Sequence, residues 1–183
     1  MQRLLFLIFI ATIIACGEQV PEPIDNVTTK FEEKRHDPSI DQQMQPLLSQ
    51  YFAVLEHLQE KDTVDLQVYG SNMIQLADSL TQQIKSKDTL TQSNATQGLN
   101  NVQFEMTAIL MESSPEERVK GAQMLSRHLI ELLATIGYKK QTIYIFSDAS
   151  DNQWIGLNKK SKNPYLQRDE VFYEANQVLQ ELK

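Results

Sequence analysis

The chain's 183 residues are 41% apolar and 22% charged, which suits one globular domain with a tail and excludes a collagen-like or strongly biased disordered chain. Lys and Arg number 17 against 24 Asp and Glu, a net charge of −7 that repels phosphate backbones and argues against nucleic acid as a partner. The single cysteine excludes an internal disulfide framework and any multi-cysteine zinc site, and the six glycines and six prolines leave little room for a turn-rich all-β fold.

The chain opens Met1-Gln2-Arg3 and continues with an uncharged run from Leu4 to Ala15. As a helix this run would span about 18 Å, short of a hydrocarbon core of roughly 30 Å. A short apolar run behind a basic start reads as a secretory signal rather than a membrane span. It ends Ile13-Ile14-Ala15-Cys16, which resembles the lipobox of bacterial lipoproteins. The resemblance implies cleavage before Cys16, diacylation of the Cys16 thiol and acylation of the new amino group. A thiolate is the best side-chain nucleophile for such a transfer, and several acyl chains anchor firmly where one is marginal. Residues 1–15 are therefore expected to be a signal peptide. Gly17, where an Asp would hold a lipoprotein back, points by analogy to the outer membrane, facing the periplasm. Residues 16–38 read as the acylated cysteine and an extended tether, with Val20-Pro21-Glu22-Pro23 and little apolar periodicity. Residues 39–183 are left as the folded domain.

From Ser39 the apolar period is helical. The first stripe is Ile40, Met44, Leu47, Tyr51, Val54 or Leu55, and Leu58. Pro46 falls inside it, so the helix either kinks there or begins there. The second stripe is Leu66, Tyr69, Met73, Leu76, Leu80 and Ile84, with Asp62 as N-cap. The third is Leu99, Val102, Met106, Ile109 and Leu110, reaching back to Leu90 with Asp88 as cap. The fourth opens on a capping box, Ser114-Pro115-Glu116-Glu117, carries Val119, Ala122, Leu125, Leu129, Leu132, Leu133 and Ile136, and stops at Gly137. Helices of about 20 residues with short connections predict an antiparallel up-down bundle.

The pattern then changes. Thr142-Ile143-Tyr144-Ile145-Phe146 is β-branched and aromatic, hence a strand, and Gln153-Trp154-Ile155-Gly156-Leu157 is its return. Ser147 to Asn152 and Asn163-Pro164 are turns. Asp169 to Leu182, with Val171, Phe172, Ala175, Val178 and Leu179, predicts a short closing helix. The expected fold is mainly α: an antiparallel four-helix bundle, a small C-terminal β-hairpin cap and a short final helix.

Tyr51-Phe52-Ala53-Val54-Leu55, Met124-Leu125-Ser126 with Ile136-Gly137, and Trp154 followed nine residues later by Asn163-Pro164-Tyr165 together resemble a bacterial domain of unknown function. That domain occurs alone in lipoproteins and attached to periplasmic adaptor subunits of copper and silver efflux systems. The resemblance covers roughly residues 45–175 and implies a helical bundle on a small β-containing cap. In the copper-associated members the strand before the tryptophan ends in Cys-Pro-Met, and a Met and a Cys-Gly follow the Asn-Pro-Tyr. Here the strand reads Tyr144-Ile145-Phe146-Ser147-Asp148-Ala149, and Glu170 and Tyr173 stand at the later sulfur positions. Cu(I) and Ag(I) prefer soft sulfur, so the resemblance carries no copper site to these positions.

The other chemistry-bearing residues have ordinary readings. Most remaining methionines fall on or beside apolar stripes, as core filler. His36, His57 and His128 form no i,i+4 metal pair, and His128 reads as a satisfied histidine at the bundle edge. Asp148 to Asn152 starts like a calcium loop but lacks its Gly and Glu positions, so it reads as a solvated turn. No nucleophile elbow, phosphate loop or dinucleotide fingerprint is present. Trp154, Tyr165, Phe172 and Tyr173 gather in the cap, where they seal the bundle end or form a partner-binding patch. Trp154, Asn163, Pro164 and Tyr165 are the candidate partner-binding residues, and Cys16 is the lipidation site. No catalytic site, metal or cofactor is expected. The reading is a lipid-anchored, non-catalytic interaction module, its alternative a periplasmic copper- or silver-binding accessory of metal efflux.

Overall fold

The computed structural model describes residues 38–60, 63–84, 88–166 and 171–181. The signal segment, Cys16, the tether up to residue 37, Asp62 and Glu170 lie outside the described residues; Pro38, expected in the tether, is the first residue of the first helix.

Four helices follow in order: α1 (Pro38–His57), α2 (Val64–Gln83), α3 (Thr89–Met111) and α4 (Pro115–Ile136). Their stripes become the core. Met44, Leu47, Tyr51, Val54 and Leu58 of the first are fully buried, as are Met73, Leu99, Val102, Met106, Leu125, Leu129 and Leu133. Pro46 does not start α1, which begins at Pro38 and runs through it. The α2 cap is Thr63, which makes no side-chain cap bond. Asp88 caps α3, accepting from the backbone N–H of Leu90 and Thr91 at 3.1 Å each. Only half of the expected capping box forms at α4. Ser114 Oγ accepts from Glu117 N at 3.4 Å, but it is the Glu112 carboxylate that takes up the Ser114 N–H, at 2.9 Å. Glu117 pairs with Lys120 instead.

Each helix packs antiparallel on its sequence neighbour. A Cβ at Gly70 of α2 would meet Leu110 of α3 at 2.7 Å, and one at Gly121 of α4 would meet Ile109 of α3 at 2.8 Å. These close approaches put the start of α2 and the start of α4 beside the end of α3.

The C-terminal part forms β1 (Tyr144–Ser147), β2 (Gln153–Gly156), β3 (Lys160–Lys162), β4 (Phe172–Glu174) and β5 (Gln177–Val178), then a 3-10 turn at Leu179–Glu181. β1 and β2 form the expected hairpin, with Phe146 opposite Trp154. β5 adds to the other side of β1, giving the order β2-β1-β5, and β3 pairs with β4 in a second sheet. The short final helix expected over 169–182 is thus corrected: the described part is two strands and the 3-10 turn. Two ready partners win over local helix propensity. β3 supplies a ladder for β4, and β1 accepts from Asn176 N at 2.9 Å through Ile145 O, while Ile143 O accepts from Leu179 N at 3.0 Å. The Gln180 side chain extends that edge, accepting from Ile143 N at 3.0 Å and donating to Gln141 O.

Gly137 ends α4 in the left-handed region, at φ 67° and ψ 40°. A Cβ there costs roughly 1–2 kcal/mol. Gly137→Ala is expected to lower the unfolding free energy measured in urea by that amount, whereas Leu90→Ala, at a side chain 66% exposed, is expected to leave it nearly unchanged.

Candidate functional site at the junction of bundle and cap

Three buried hydroxyls join α1, α4, β2 and the segment after β3. Tyr51 Oη lies 2.7 Å from Ser126 Oγ, and Tyr165 Oη lies 2.6 Å from the same atom. Ser126 donates to Ala122 O of its own helix at 2.9 Å. Tyr165 Oη is also 2.7 Å from Gln153 O, and Ile155 N donates to Tyr51 Oη at 3.5 Å. Gln153 and Ile155 share the outer edge of β2, the side away from β1. The tyrosines therefore terminate that edge, which another strand would otherwise fill. Desolvation pushes the Tyr51 hydroxyl up to about 12 against the bonds that oppose it. Desolvation also holds Tyr165 well above the ordinary tyrosine range, with Tyr51 beside it adding to the effect.

Trp154 fills the space between this network and the sheet. Its ring stacks on Phe146 at 5.5 Å and meets Tyr165 and Tyr173 edge-on at 6.0 and 5.3 Å. Asn163 sets the turn that delivers Tyr165. Its Oδ1 accepts from Tyr165 N at 2.9 Å, and its Nδ2 donates to Asp148 Oδ2 at 3.2 Å. Asp148 also accepts from Ser150 N, Asn152 N and Asn152 Nδ2 at 2.8–3.0 Å. Burial acts to raise the Asp148 carboxyl, but these donors outweigh it and hold it below the usual carboxylate value. The carboxylate is committed to the turn.

Among the candidate partner-binding residues, Trp154, Asn163 and Tyr165 are 1%, 2% and 6% exposed. Burial makes them fasteners of the cap. Pro164 is half-buried, and its carbonyl accepts from Gln59 Nε2 at 3.3 Å. Trp154 and Pro164 do reach the wall of an open groove of about 850 Å3. One wall is Phe52 and Leu55 of α1 with Gln59 just past its end; the other runs from Trp154 to Leu157 and on to Pro164 and Leu166. Glu56 and Glu60 stand along the α1 side, with Lys162 opposite. Sequence reasoning found the cap wall and missed the α1 wall, because Phe52 and Leu55 looked like any helix positions beside a stripe.

Two further arrangements were not legible locally. His57, Glu60 and Asp65 bring one potential ligand atom each to within 4.8 Å of one another. Arg118 is buried at the start of α4 and donates through Nη2 to Glu60 O at 3.3 Å, while its Nε and Nη1 have no partner among the described residues. Met44, Met73 and Met106 are core residues, and Met111 and Met124 are exposed. His128 sits between Glu105 at 3.8 Å and Glu131 at 3.4 Å. No known protein family, curated protein or solved structure matches the chain.

Removing either tyrosine hydroxyl strips a partner from a buried polar group. Tyr51→Phe and Tyr165→Phe are each expected to cost about 1–2 kcal/mol in urea unfolding. The pH dependence follows from the raised tyrosines. The folded chain keeps protons that the unfolded chain releases near the ordinary tyrosine value of 10.0. Stability is therefore full below about pH 10 and is lost as pH rises from there through about 12. Tyrosinate absorbance from these rings is expected to appear together with loss of helix. The double Phe variant is expected to start less stable and fall less steeply.

Proposed function

We propose that the chain is a lipid-anchored protein of the bacterial cell envelope, held by acylated Cys16 in the outer membrane and facing the periplasm. Its helical domain is a non-catalytic interaction module that docks a partner in the groove between α1 and the cap. The anchoring half rests on the lipobox-like Ile13-Ile14-Ala15-Cys16 at the end of the apolar run. Residues 17–37 can span at most about 75 Å, enough to let the domain meet an envelope partner away from its anchor.

The groove narrows the partner's chemistry. Its floor is apolar and aromatic, and Glu56 and Glu60 line the α1 side. The β2 edge is already covered by Tyr51 and Tyr165, so strand addition has no free ladder to join there. Recognition works through side chains. The fitting partner is an extended segment with apolar residues and a basic side chain placed against α1.

Two measurements test this. Metabolic labelling with a clickable palmitate analogue is expected to mark the chain, and Cys16→Ser is expected to abolish the label and release the protein from the membrane fraction. An unlabelled, membrane-free wild type would end the anchoring half. Trp154, the chain's only tryptophan, reports on the groove. Its emission is expected to shift with an alternating Leu/Lys peptide and not with a Leu/Glu peptide. The paired variant Leu157→Glu, Leu166→Glu, at side chains 45% and 50% exposed, is expected to abolish the response. Equal responses to both peptides would overturn the docking half.

A further inference from the structure

We infer that His57, Glu60 and Asp65 form a binding site for one divalent transition-metal ion of the zinc type, at the turn between α1 and α2. The site shares Glu60 with the groove, but metal uptake and peptide docking are read by different measurements, so the two proposals fail separately.

The three donors come from three differently held positions. His57 is the last residue of α1, Asp65 the second of α2, and Glu60 lies between them. His57 Nδ1 is 2.8 Å from Glu60 Oε2. The imidazole stacks on Tyr69 of α2, at 5.4 Å between centroids and 21° between planes, so its plane is set before any ion arrives. The Glu60 backbone is fixed at both ends, its N–H donating to His57 O and its carbonyl accepting from Arg118 Nη2, each at 3.3 Å. Glu60 and Asp65 are exposed at the surface while His57 is half-buried. An ion and its remaining waters therefore have an open path.

The dimensions fit. Zinc binds imidazole nitrogen and carboxylate oxygen at about 2.0–2.2 Å, so two tetrahedral ligands lie roughly 3.4 Å apart. The His57–Glu60 contact is a hydrogen bond at 2.8 Å, and it opens by roughly 0.6 Å as the ion takes the place of the shared proton. The full spread of 4.8 Å closes by rotation of the two exposed carboxylates. The charges fit as well. Glu56 adds a negative charge beside His57, and the C-terminal end of α1 presents its carbonyl dipoles to the same region. Arg118 is the opposing charge, and it meets Glu60 through the backbone carbonyl.

The donor set selects the ion. One imidazole with two carboxylates suits Zn2+, with Cu2+ bound more tightly in the usual order. Cu(I) and Ag(I) seek sulfur, and Mg2+ and Ca2+ seek all-oxygen shells. Three protein ligands leave a position for water or for a donor from elsewhere. Because the ligands straddle two helices, a bound ion ties α1 to α2 and stabilises the folded chain by an amount that grows with the logarithm of free ion above its dissociation constant.

The test is titration of the metal-stripped full chain with Zn2+ against a chromophoric chelator, with Mg2+ in excess. One ion per chain is expected, with a rise in the thermal unfolding midpoint. His57→Ala and the pair Glu60→Gln, Asp65→Asn are each expected to weaken binding by at least about ten-fold, while His128→Ala, at the other histidine flanked by two glutamates, leaves it unchanged. The carboxamide pair keeps the local shape, so it decides the question even if His57→Ala unfolds the turn. No binding by the wild type, or binding that persists in the carboxamide pair, overturns the site.

Discussion

The buried hydroxyls of Tyr51, Ser126 and Tyr165 meet where α1, α4, β2 and the segment after β3 converge. A sheet edge buried against helices is costly unless its N–H and C=O groups are paired, about 1–3 kcal/mol for each one left unmade. Strands usually do this pairing. Here two tyrosines do it, reaching the β2 edge from α1 and from the turn at Asn163. Ser126 lets both rings end at one point on α4, where a larger side chain would hold them apart. The cap's position on the bundle follows from this cluster.

Other features depend on it in turn. Trp154 can be fully buried because Phe146, Tyr165 and Tyr173 surround it. Asn163 and Asp148 are spent on holding the turn that delivers Tyr165. With the edge of β2 tied down, the space left between α1 and the cap is a groove with side-chain walls. Its chemistry is set by Phe52 and Leu55 below, by Glu56 in the last turn of α1 and by Glu60 just past it. The same end of α1 carries His57, so the groove and the His57 cluster share one helix terminus and one glutamate.

The helices were readable because burial in a bundle imposes a 3.6-residue period that the stripes display directly. The closing segment misled for the same reason. Val171, Phe172, Ala175, Val178 and Leu179 fit a helical period, yet Val171 and Phe172 are exposed, and the backbone pairs with β3 and β1. A strand of two or three residues is too short for alternation to register. The hydroxyl cluster was hidden differently. Tyr51 and Ser126 are 75 residues apart, and on their helices each reads as an ordinary core position. The half-formed capping box shows the limit of a motif: Glu112, just before the cap, competed for the N–H that the pattern assigns to Glu117.

Five residues of the motifs singled out in the sequence meet in space. Tyr51, Ser126, Trp154, Asn163 and Tyr165 all belong to the fastening of cap to bundle. Each is there for a structural reason that any chain using this junction would share: a hydroxyl to end a strand edge, a small residue where two rings converge, an indole to fill the gap, an amide to set a turn. A likeness resting on such residues describes how a scaffold is closed. It says nothing of what the scaffold holds, because ligand chemistry lies in the positions around it. In this chain those positions are the acidic side of the α1 groove and the imidazole–carboxylate turn, where nitrogen and oxygen donors stand and sulfur does not.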